Sequence, residues 1–436
     1  MSARTILLGV ALLASPLRAA ATTPAPNVVT DWSAIVQQSI HNATAPRSAG
    51  TSEILHATVM LAVYDAVIAI EGGYRPYVMT TTPVPYADVR AAAATAAYRT
   101  ARSRVAASQV AFLDQQYTLY MAAIPGGMAK SEGIRVGEAA AAAVLAARAG
   151  DRFGTVVPYE CSGTPPAVGE FEPDTGCPTG PASPQPVDAK VGRISPFTFV
   201  DVGRYLPDGP DPLTSSAYAE DFAETRDLGR IDSVVRTPEQ TDIAYFWSEN
   251  PYVHWNRNLT ALAVQQGLDV RDTARLFAMV HTAASDAVIV GFAAKYYYAF
   301  WRPRTAIVQA DLDGNPDTEA DPTWRPLLLV NHPEYPSGHG FWSTAVVDTV
   351  AAFFGTNKLT WTLTTSKAAV PALVQTERTY EQLNALVREI GNARIYGGLH
   401  WRQSIQHGAQ VGRRVAAHIT RNYFEAERQS RGVRFL

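Results

Sequence analysis

Two basic residues near the end of a predicted helix have a spacing suited to holding one anion. Lys295 and Arg302 lie seven residues apart on a predicted helix whose period is clear over residues 270–301 and which ends at Pro303. Pro303 closes that helix. Seven residues make about two turns, so both side chains should leave the same face. The alternative interpretation is a lysine whose stem lies along apolar surface, beside a surface arginine.

A second anion-binding segment is indicated by Ser337-Gly338-His339, which precedes apolar residues at helical spacing over 341–354. A helix that starts in this way presents unpaired backbone N–H groups, a hydroxyl and an imidazole at the positive end of its dipole. These groups could bind an anion and carry a proton beside it. The alternative is an ordinary serine N-cap followed by a histidine in the first turn.

The third segment places Arg394 and His400 on either side of Gly397 and Gly398. Amphipathic helices are predicted before and after it, so the segment connects two helices. Adjacent glycines let backbone approach closely, and the arginine and the histidine could then face one ligand. Taken separately, each of the three segments also has an ordinary structural interpretation.

In chain order the segments read Lys-x6-Arg-Pro, Pro-Ser-Gly-His and Arg-x5-His, over residues 295–400. This order resembles the signature shared by vanadium-dependent haloperoxidases and the type-2 phosphatidic acid phosphatase superfamily. The long helical N-terminal half resembles that of exported bacterial members. The resemblance implies an all-α fold of helical bundles with an oxyanion site in the core of the C-terminal bundle. Vanadate is the implied cofactor, and phosphate could occupy the same site.

The resemblance also implies a role for each matching residue. His400 would bind vanadium, or attack phosphorus in a phosphatase, while His339 would move protons; Lys295 counts with them as catalytic. A multiply charged oxyanion held out of water needs several fixed cations, and guanidinium forks suit its oxygens. The implied oxyanion-binding residues are Lys295, Arg302, Ser337, Gly338, His339, Arg394 and His400.

Two positions depart from the family pattern. Ala393 stands where members commonly have serine, and Ser404 stands where many carry aspartate four residues after the signature histidine. A carboxylate beside a histidine fixes its tautomer and raises its basicity. Ser404 can orient His400 but cannot supply that charge. This argues against efficient phosphatase action and lowers the expected affinity for the cofactor.

His332 bears on the choice of halide. It lies seven residues before His339, where bromide-oxidising members tend to have histidine and chloride-oxidising members phenylalanine. The resemblance therefore favours bromide over chloride. The alternative is a structural loop histidine beside Pro333.

The bulk composition fits an exported globular enzyme. The chain has 436 residues, 47% of them hydrophobic, and a net charge of -3 without any Lys/Arg run, so we expect no nucleic-acid partner. Residues 1–21 are predicted to be a signal peptide, which implies a periplasmic or secreted protein. After them, no run of about 20 uninterrupted apolar residues predicts a membrane span. The oligomeric state stays open, a homo-oligomer included.

The chain divides into three predicted regions after the signal peptide. These are an N-terminal helical region (22–154), a Pro/Gly-rich connection (155–215) and a C-terminal haloperoxidase/phosphatase-like helical domain (216–436). In the connection, Cys161 and Cys177 could form one disulfide or stay as two thiols.

A short internal echo links the two helical regions. Tyr64-Asp65-Ala66-Val67-Ile68 resembles Ser285-Asp286-Ala287-Val288-Ile289, which indicates two related bundles; coincidence between Ala-rich helices is the alternative. Asp286 is predicted to be a buried partner for an arginine.

Three functions compete. The leading hypothesis is a haloperoxidase that oxidises bromide, or less favourably chloride, with hydrogen peroxide and so halogenates a small organic acceptor. The second is an exported acid phosphatase with a phospho-histidine intermediate at His400. The third is an anion-binding scaffold whose catalysis has decayed through changes such as Ser404.

Overall fold

The structure is a computed structural model that describes residues 26–43, 47–80, 84–180 and 183–427; the predicted signal peptide lies outside these ranges. The fold is mostly helical, as predicted. One short antiparallel hairpin, β1 (Lys358–Thr364) and β2 (Glu377–Gln382), accompanies the helices in the described part of the chain. The helices are α1 (Val28–His41), α2 (Ala49–Glu71), α3 (Val89–Arg102), α4 (Val110–Ala122), α5 (Met128–Ala147), α6 (Ser216–Gly229), α7 (Pro238–Phe246), α8 (Pro251–Gln265), α9 (Val270–Tyr298), α10 (Pro303–Ala306), α11 (Gly338–Phe354), α12 (Leu383–Tyr396) and α13 (Arg402–Asn422).

The helices form two bundles that share one core. In the first, α2, α3 and α5 pack together with α1 and α4 against them; in the second, α9, α11 and α13 pack together with α12 alongside. The two buried central helices, α2 and α9, lie against each other and join the bundles. A continuous cluster of buried apolar side chains runs through both.

The sequence echo has a structural counterpart in these two central helices. The Asp65 carboxylate in α2 accepts the backbone N–H groups of residues 77–79 at 2.6–3.0 Å. The Asp286 carboxylate in α9 accepts those of residues 197 and 198 at 2.6 and 3.1 Å, together with the Thr198 hydroxyl at 2.5 Å. Each aspartate therefore anchors a connecting segment on its bundle. The hydrogen-bond partners of Asp286 are thus backbone N–H groups and the Thr198 hydroxyl, while the predicted arginine partner acts through its charge: Arg148 lowers the pKa of the buried Asp286 carboxyl, against the larger effect of burial.

Removing the Asp286 carboxylate should destabilise the protein strongly. Asp286→Ala leaves three buried donors without an acceptor, at about 1–3 kcal/mol for each group left unsatisfied. We therefore expect a loss of about 3 kcal/mol or more in the free energy of unfolding, measured by urea denaturation. Asp286→Asn keeps an acceptor oxygen and should lose less. Equal stability of the alanine variant and the unchanged protein would contradict this.

Two glycines on α13 bring that helix unusually close to α11. A Cβ placed on Gly408 or Gly412 would lie 2.7 or 2.4 Å from a carbonyl oxygen of α11, which no side chain tolerates. Gly133 and Gly137 allow the same close contact of α5 with α3. In the second bundle this packing fixes α13 against the start of α11, where Ser337 is the N-cap.

Two of the described helices, α2 and α9, are long and apolar enough to cross a membrane when judged by length and composition. Their most apolar windows have mean hydropathies of 1.7 and 1.6, and 94% of each window is buried inside the protein. Since these surfaces already pack against other helices, their composition is that of core helices.

The Pro/Gly-rich connection runs over the second bundle in mostly irregular conformation. Cys161 and Cys177 form a disulfide there. Backbone hydrogen bonds tie the connection to the end of α9 and to the loop before α11: Phe171 N–H to Ala299 O at 2.6 Å and Val187 N–H to Asn331 O at 2.8 Å. The connection therefore lies beside the segments that carry the predicted site.

One prediction about this region is wrong. The helix that contains Lys295 ends at Tyr298, because Ala299 adopts a left-handed conformation with a φ of 44°. Arg302 is the N-cap of the short helix α10 and is not part of the same helix. The two residues still approach one site, because the turn after Ala299 folds Arg302 back towards it.

Candidate active site

A cavity of about 460 Å³ lies where the predicted segments meet. Gly338, His339, Arg394 and His400 line it, and so does His332. The remaining lining residues are Ala49, Asp174, Val187, Asp188, Ser248, Glu249, Pro251, Phe292, Leu329, Val330, Asn331 and Trp342. The structure thus brings the second and third sequence segments to one cavity, while Lys295, Arg302 and Ser337 are buried behind its wall.

Lys295 is a buried ammonium near the start of α11. Its Nζ donates to the carbonyl oxygens of Pro333 and Glu334, both at 2.9 Å, and its Cε lies 4.0 Å from the position of a Cβ placed on Gly338. Burial lowers the pKa of Lys295 well below its ordinary value, and Arg302 lowers it further. An anion would relieve this crowding of positive charge.

Arg302 ties the loops of the site together. Its guanidinium makes four hydrogen bonds: to the carbonyl oxygens of His332, Pro333 and Leu399, and to the ring Nδ1 of His332. Burial lowers the pKa of Arg302 to about 10, and Glu334 opposes that shift. Most of its donors are therefore committed to protein, so its contribution to an anion is mainly charge.

Among the residues that the structure describes, Arg394 makes fewer hydrogen bonds to protein than Arg302 does. It lies in the last turn of α12 and donates from Nη1 to the Trp247 carbonyl oxygen at 3.0 Å. Within the described part of the chain, its buried Nε has no hydrogen-bond partner. Burial lowers the pKa of Arg394 to about 9, with Arg302 lowering it further. A buried guanidinium with free donors beside a cavity is suited to an oxyanion.

The start of α11 supplies the neutral part of the site. Ser337 is the N-cap, and its hydroxyl accepts the Gly340 N–H at 3.4 Å, so the ordinary capping interpretation also applies. His339 is in the first turn and lines the cavity. Burial lowers the pKa of His339 well below its ordinary value; Arg394 adds to this, and a hydrogen bond with the Trp247 carbonyl opposes it. His339 is therefore a neutral imidazole at a helix N-terminus.

His400 is held by a carboxylate that sequence reasoning missed. Glu334 Oε1 lies 2.7 Å from His400 Nδ1 and also accepts the Trp401 N–H at 3.1 Å. Burial raises the pKa of Glu334 to about 7, while Arg302 and Lys295 oppose the shift. Burial, followed by Arg302 and Lys295, lowers the pKa of His400 well below its ordinary value. His400 therefore presents a neutral ring to the cavity.

Glu334 also changes what can be concluded from finding Ser404 where many family members have aspartate. The carboxylate beside His400 comes from the loop before α11 and not from the position four residues after the histidine. The argument against phosphatase action and against tight cofactor binding, drawn from Ser404, therefore does not hold. The sequence signal that could have indicated this carboxylate is the position of Glu334, three residues before Ser337.

His332 is part of the cavity wall. His332 Nδ1 lies 2.8 Å from Arg302 Nη2, which can only donate, and 3.1 Å from the Pro333 carbonyl oxygen, which can only accept. Burial, then the charges of Lys295 and Arg302, lowers the pKa of His332 well below its ordinary value. Its ring also contacts Phe292 edge-on, with the ring centroids 5.5 Å apart. His332 is thus a neutral residue in contact with both the cationic cluster and the apolar part of the cavity.

The second bundle, which carries most of these residues, matches a known family. Residues 275–426 match the family model of the VCPO second helical-bundle domain. The vanadium chloroperoxidase of Curvularia inaequalis is 28% identical over 188 residues, which cover 35% of this chain and 30% of that protein. The match thus spans under a third of the length of this curated relative.

Solved structures extend the likeness to nearly the whole chain. A bacterial vanadium-dependent iodoperoxidase matches 92% of this chain and 98% of its own with a TM-score of 0.74 and 22% identity. A holo-type bacterial vanadium-dependent chloroperoxidase matches 85% of this chain and 90% of its own with a TM-score of 0.67 and 17% identity. These likenesses establish the fold, with both bundles included.

Proposed function

Since the chain is a member of the vanadium haloperoxidase family through its second helical bundle, we propose that it is a vanadate-dependent haloperoxidase. In this proposal it oxidises halide with hydrogen peroxide, bromide in preference to chloride, and halogenates a small organic acceptor. The observation that carries the proposal is the cluster of three buried cations beside one cavity, in which the Arg394 Nε has no hydrogen-bond partner among the described residues.

The residues present fit a vanadate ion. A tetrahedral oxyanion needs several donors, and the cavity offers Arg394, the third N–H of Lys295 and the start of α11. When bound, vanadate supplies the Lewis acid that activates hydrogen peroxide. His400 Nε2 would hold the vanadium. Lys295, Arg302 and Arg394 would neutralise the oxygens, with Ser337 and the Gly338 N–H as further donors.

His339 is proposed to move protons. It lies in the first turn of α11, beside the cavity and near Arg394, and it is neutral in the protein without ligand. A neutral imidazole can accept a proton from hydrogen peroxide and become an imidazolium, which can later donate that proton as a general acid. The helix N-terminus and Arg394 both favour its neutral form, which keeps it ready to accept that proton.

The acceptor is proposed to be a small, mainly apolar molecule. The cavity volume of about 460 Å³ lies within the usual range for small-molecule sites. Apolar side chains of Val187, Phe292, Val330 and Trp342 line part of its wall. The neighbouring Glu249 is already paired with Arg257 at 2.6 Å, so its charge is satisfied within the protein.

The proposal is tested by loading the purified protein, freed of bound anions, with increasing vanadate. Peroxide-dependent bromination of monochlorodimedone should rise and saturate with vanadate. Turnover of p-nitrophenyl phosphate, inhibited by vanadate, should be slow by comparison. A bromination rate that does not change with vanadate concentration would refute the proposal. Fast hydrolysis of the phosphate ester would favour the acid phosphatase. Inactivity in both assays, with vanadate still bound tightly, would indicate an anion-binding scaffold.

The proposed halide preference depends on His332. His332→Phe should shift the ratio of kcat/KM for chloride to that for bromide upwards, by roughly tenfold for each 1.4 kcal/mol of changed transition-state stabilisation. Steady-state kinetics with each halide measures that ratio. His41→Phe, at the end of α1 in the first bundle, is the matched control. An unchanged ratio in His332→Phe would contradict the assignment.

A further inference from the structure

Glu334 contacts all three segments of the site. Its backbone N–H donates to Phe300 O at 2.9 Å, and its carbonyl oxygen accepts from Lys295 Nζ at 2.9 Å. Its side chain, which is completely buried, reaches the third segment through His400 and Trp401. The chain then continues directly into the serine that caps α11. A residue so placed can fix the three segments relative to one another.

The hydrogen bonds identify which ring nitrogen of His400 carries the proton. Glu334 Oε1 accepts the backbone N–H of Trp401, so Oε1 is an acceptor oxygen. The 2.7 Å contact of His400 Nδ1 with the same oxygen therefore has Nδ1–H as its donor. A neutral imidazole protonated at Nδ1 carries its lone pair on Nε2. No described residue hydrogen-bonds to that nitrogen, and His400 lines the cavity.

Ser404 does not perform this task. It lies in the first turn of α13, and its backbone oxygen accepts the Ser337 N–H at 3.0 Å. Its hydroxyl is buried and, like Glu334 Oε2, has no hydrogen-bond partner of normal geometry among the residues described. The Ser404 hydroxyl also lowers the pKa of Glu334, as a hydroxyl close to the carboxyl group does. Position 404 therefore lies close to the Glu334 carboxyl group.

We propose that Glu334 is a positioning residue for His400: Oε1 holds the ring with Nδ1 protonated and Nε2 bare, so that Nε2 can serve as a ligand. This inference rests on the proposed vanadate site. It assigns to residue 334 the role that a carboxylate at residue 404 would otherwise have. Because the two positions converge on one spot, an aspartate at 404 should replace Glu334.

The first test measures vanadate affinity by equilibrium dialysis, independently of activity. Glu334→Ala should weaken binding by about 10- to 100-fold, the usual effect of removing a group that orients a metal-binding histidine. Glu334→Gln keeps an acceptor oxygen and should lose less than Glu334→Ala. Adding Ser404→Asp to Glu334→Ala should recover most of the loss. Glu53→Ala is the matched control. Glu53 Oε1 lies 2.8 Å from His281 Nδ1 in a similar buried pair, and neither residue lines the cavity.

The second test reads the tautomer directly in the unchanged protein. Nitrogen-15 NMR of the His400 ring, assigned by its absence in His400→Gln, should show the proton on Nδ1 without any vanadate added. A proton on Nε2, or unchanged vanadate affinity in Glu334→Ala, would overturn the inference. Failure of the unchanged protein to bind vanadate would instead overturn the proposed function, so the two failures are distinct. Because the NMR experiment uses the unchanged protein, it tests the proposed tautomer of His400 even if Glu334→Ala does not fold.

Discussion

Replacing His400 with alanine is expected to abolish vanadate binding and peroxide-driven bromination together. The variant removes the proposed vanadium ligand and leaves Glu334 buried beside the cavity without its imidazole partner. Removal of a supporting residue alone weakens metal sites by about 10- to 100-fold, so loss of the ligand itself should exceed roughly 100-fold. Vanadate affinity by equilibrium dialysis and kcat/KM for bromide measure the two effects.

The matched control is His418→Ala. His418 lies in the C-terminal part of α13, does not line the cavity, and contacts the Thr198 carbonyl oxygen at 3.2 Å. It should bind vanadate like the unchanged protein. The melting temperature of each variant separates loss of the site from loss of the fold. His400→Ala that folds and still binds vanadate within tenfold of the unchanged protein would remove His400 from the proposed role.

The sequence could predict the parts of the site whose side chains follow helix chemistry. Ser337 before an apolar periodic run predicts the N-cap of α11, and the periods on either side of Gly397 predict α12 and α13. Because each of these helices buries an apolar face, apolar residues recur along the sequence at helical spacing. The β1–β2 hairpin and α6 lack so clear a pattern and were not anticipated.

The rest of the site depends on contacts that residue types do not record. The sequence predicts Arg302 on the helix of Lys295, because the aromatic residues at 296–298, 300 and 301 continue its helical pattern, whereas Ala299 ends that helix in a left-handed conformation. The carbonyl oxygens of Trp247 and Leu399 hold the two arginines, and any residue type offers a carbonyl. Glu334 stands between Pro333 and Tyr335, where an acid ordinarily indicates an exposed turn; only the fold reveals that it is buried.

Arg394 should contribute most of the oxyanion affinity among the three cations. Among the described residues, Arg302 makes four hydrogen bonds to protein and Lys295 uses two of its three N–H groups, whereas Arg394 makes one. Truncating one partner of a buried, hydrogen-bonded charge pair costs about 2–5 kcal/mol. Arg394→Ala is therefore expected to weaken vanadate binding by roughly 30- to 4,000-fold. Equilibrium dialysis measures this directly.

Two further variants separate charge from donor geometry. Arg394→Lys keeps the positive charge but loses the planar fork, so it should recover part of the affinity lost in Arg394→Ala and fall short of the unchanged protein. Arg388→Ala, on the exposed face of the same helix, should change nothing. If Arg394→Ala binds vanadate as the unchanged protein does, the free guanidinium donors are not what holds the anion. Lys295 and Arg302 would then have to hold the anion, although most of their N–H donors already bond to protein.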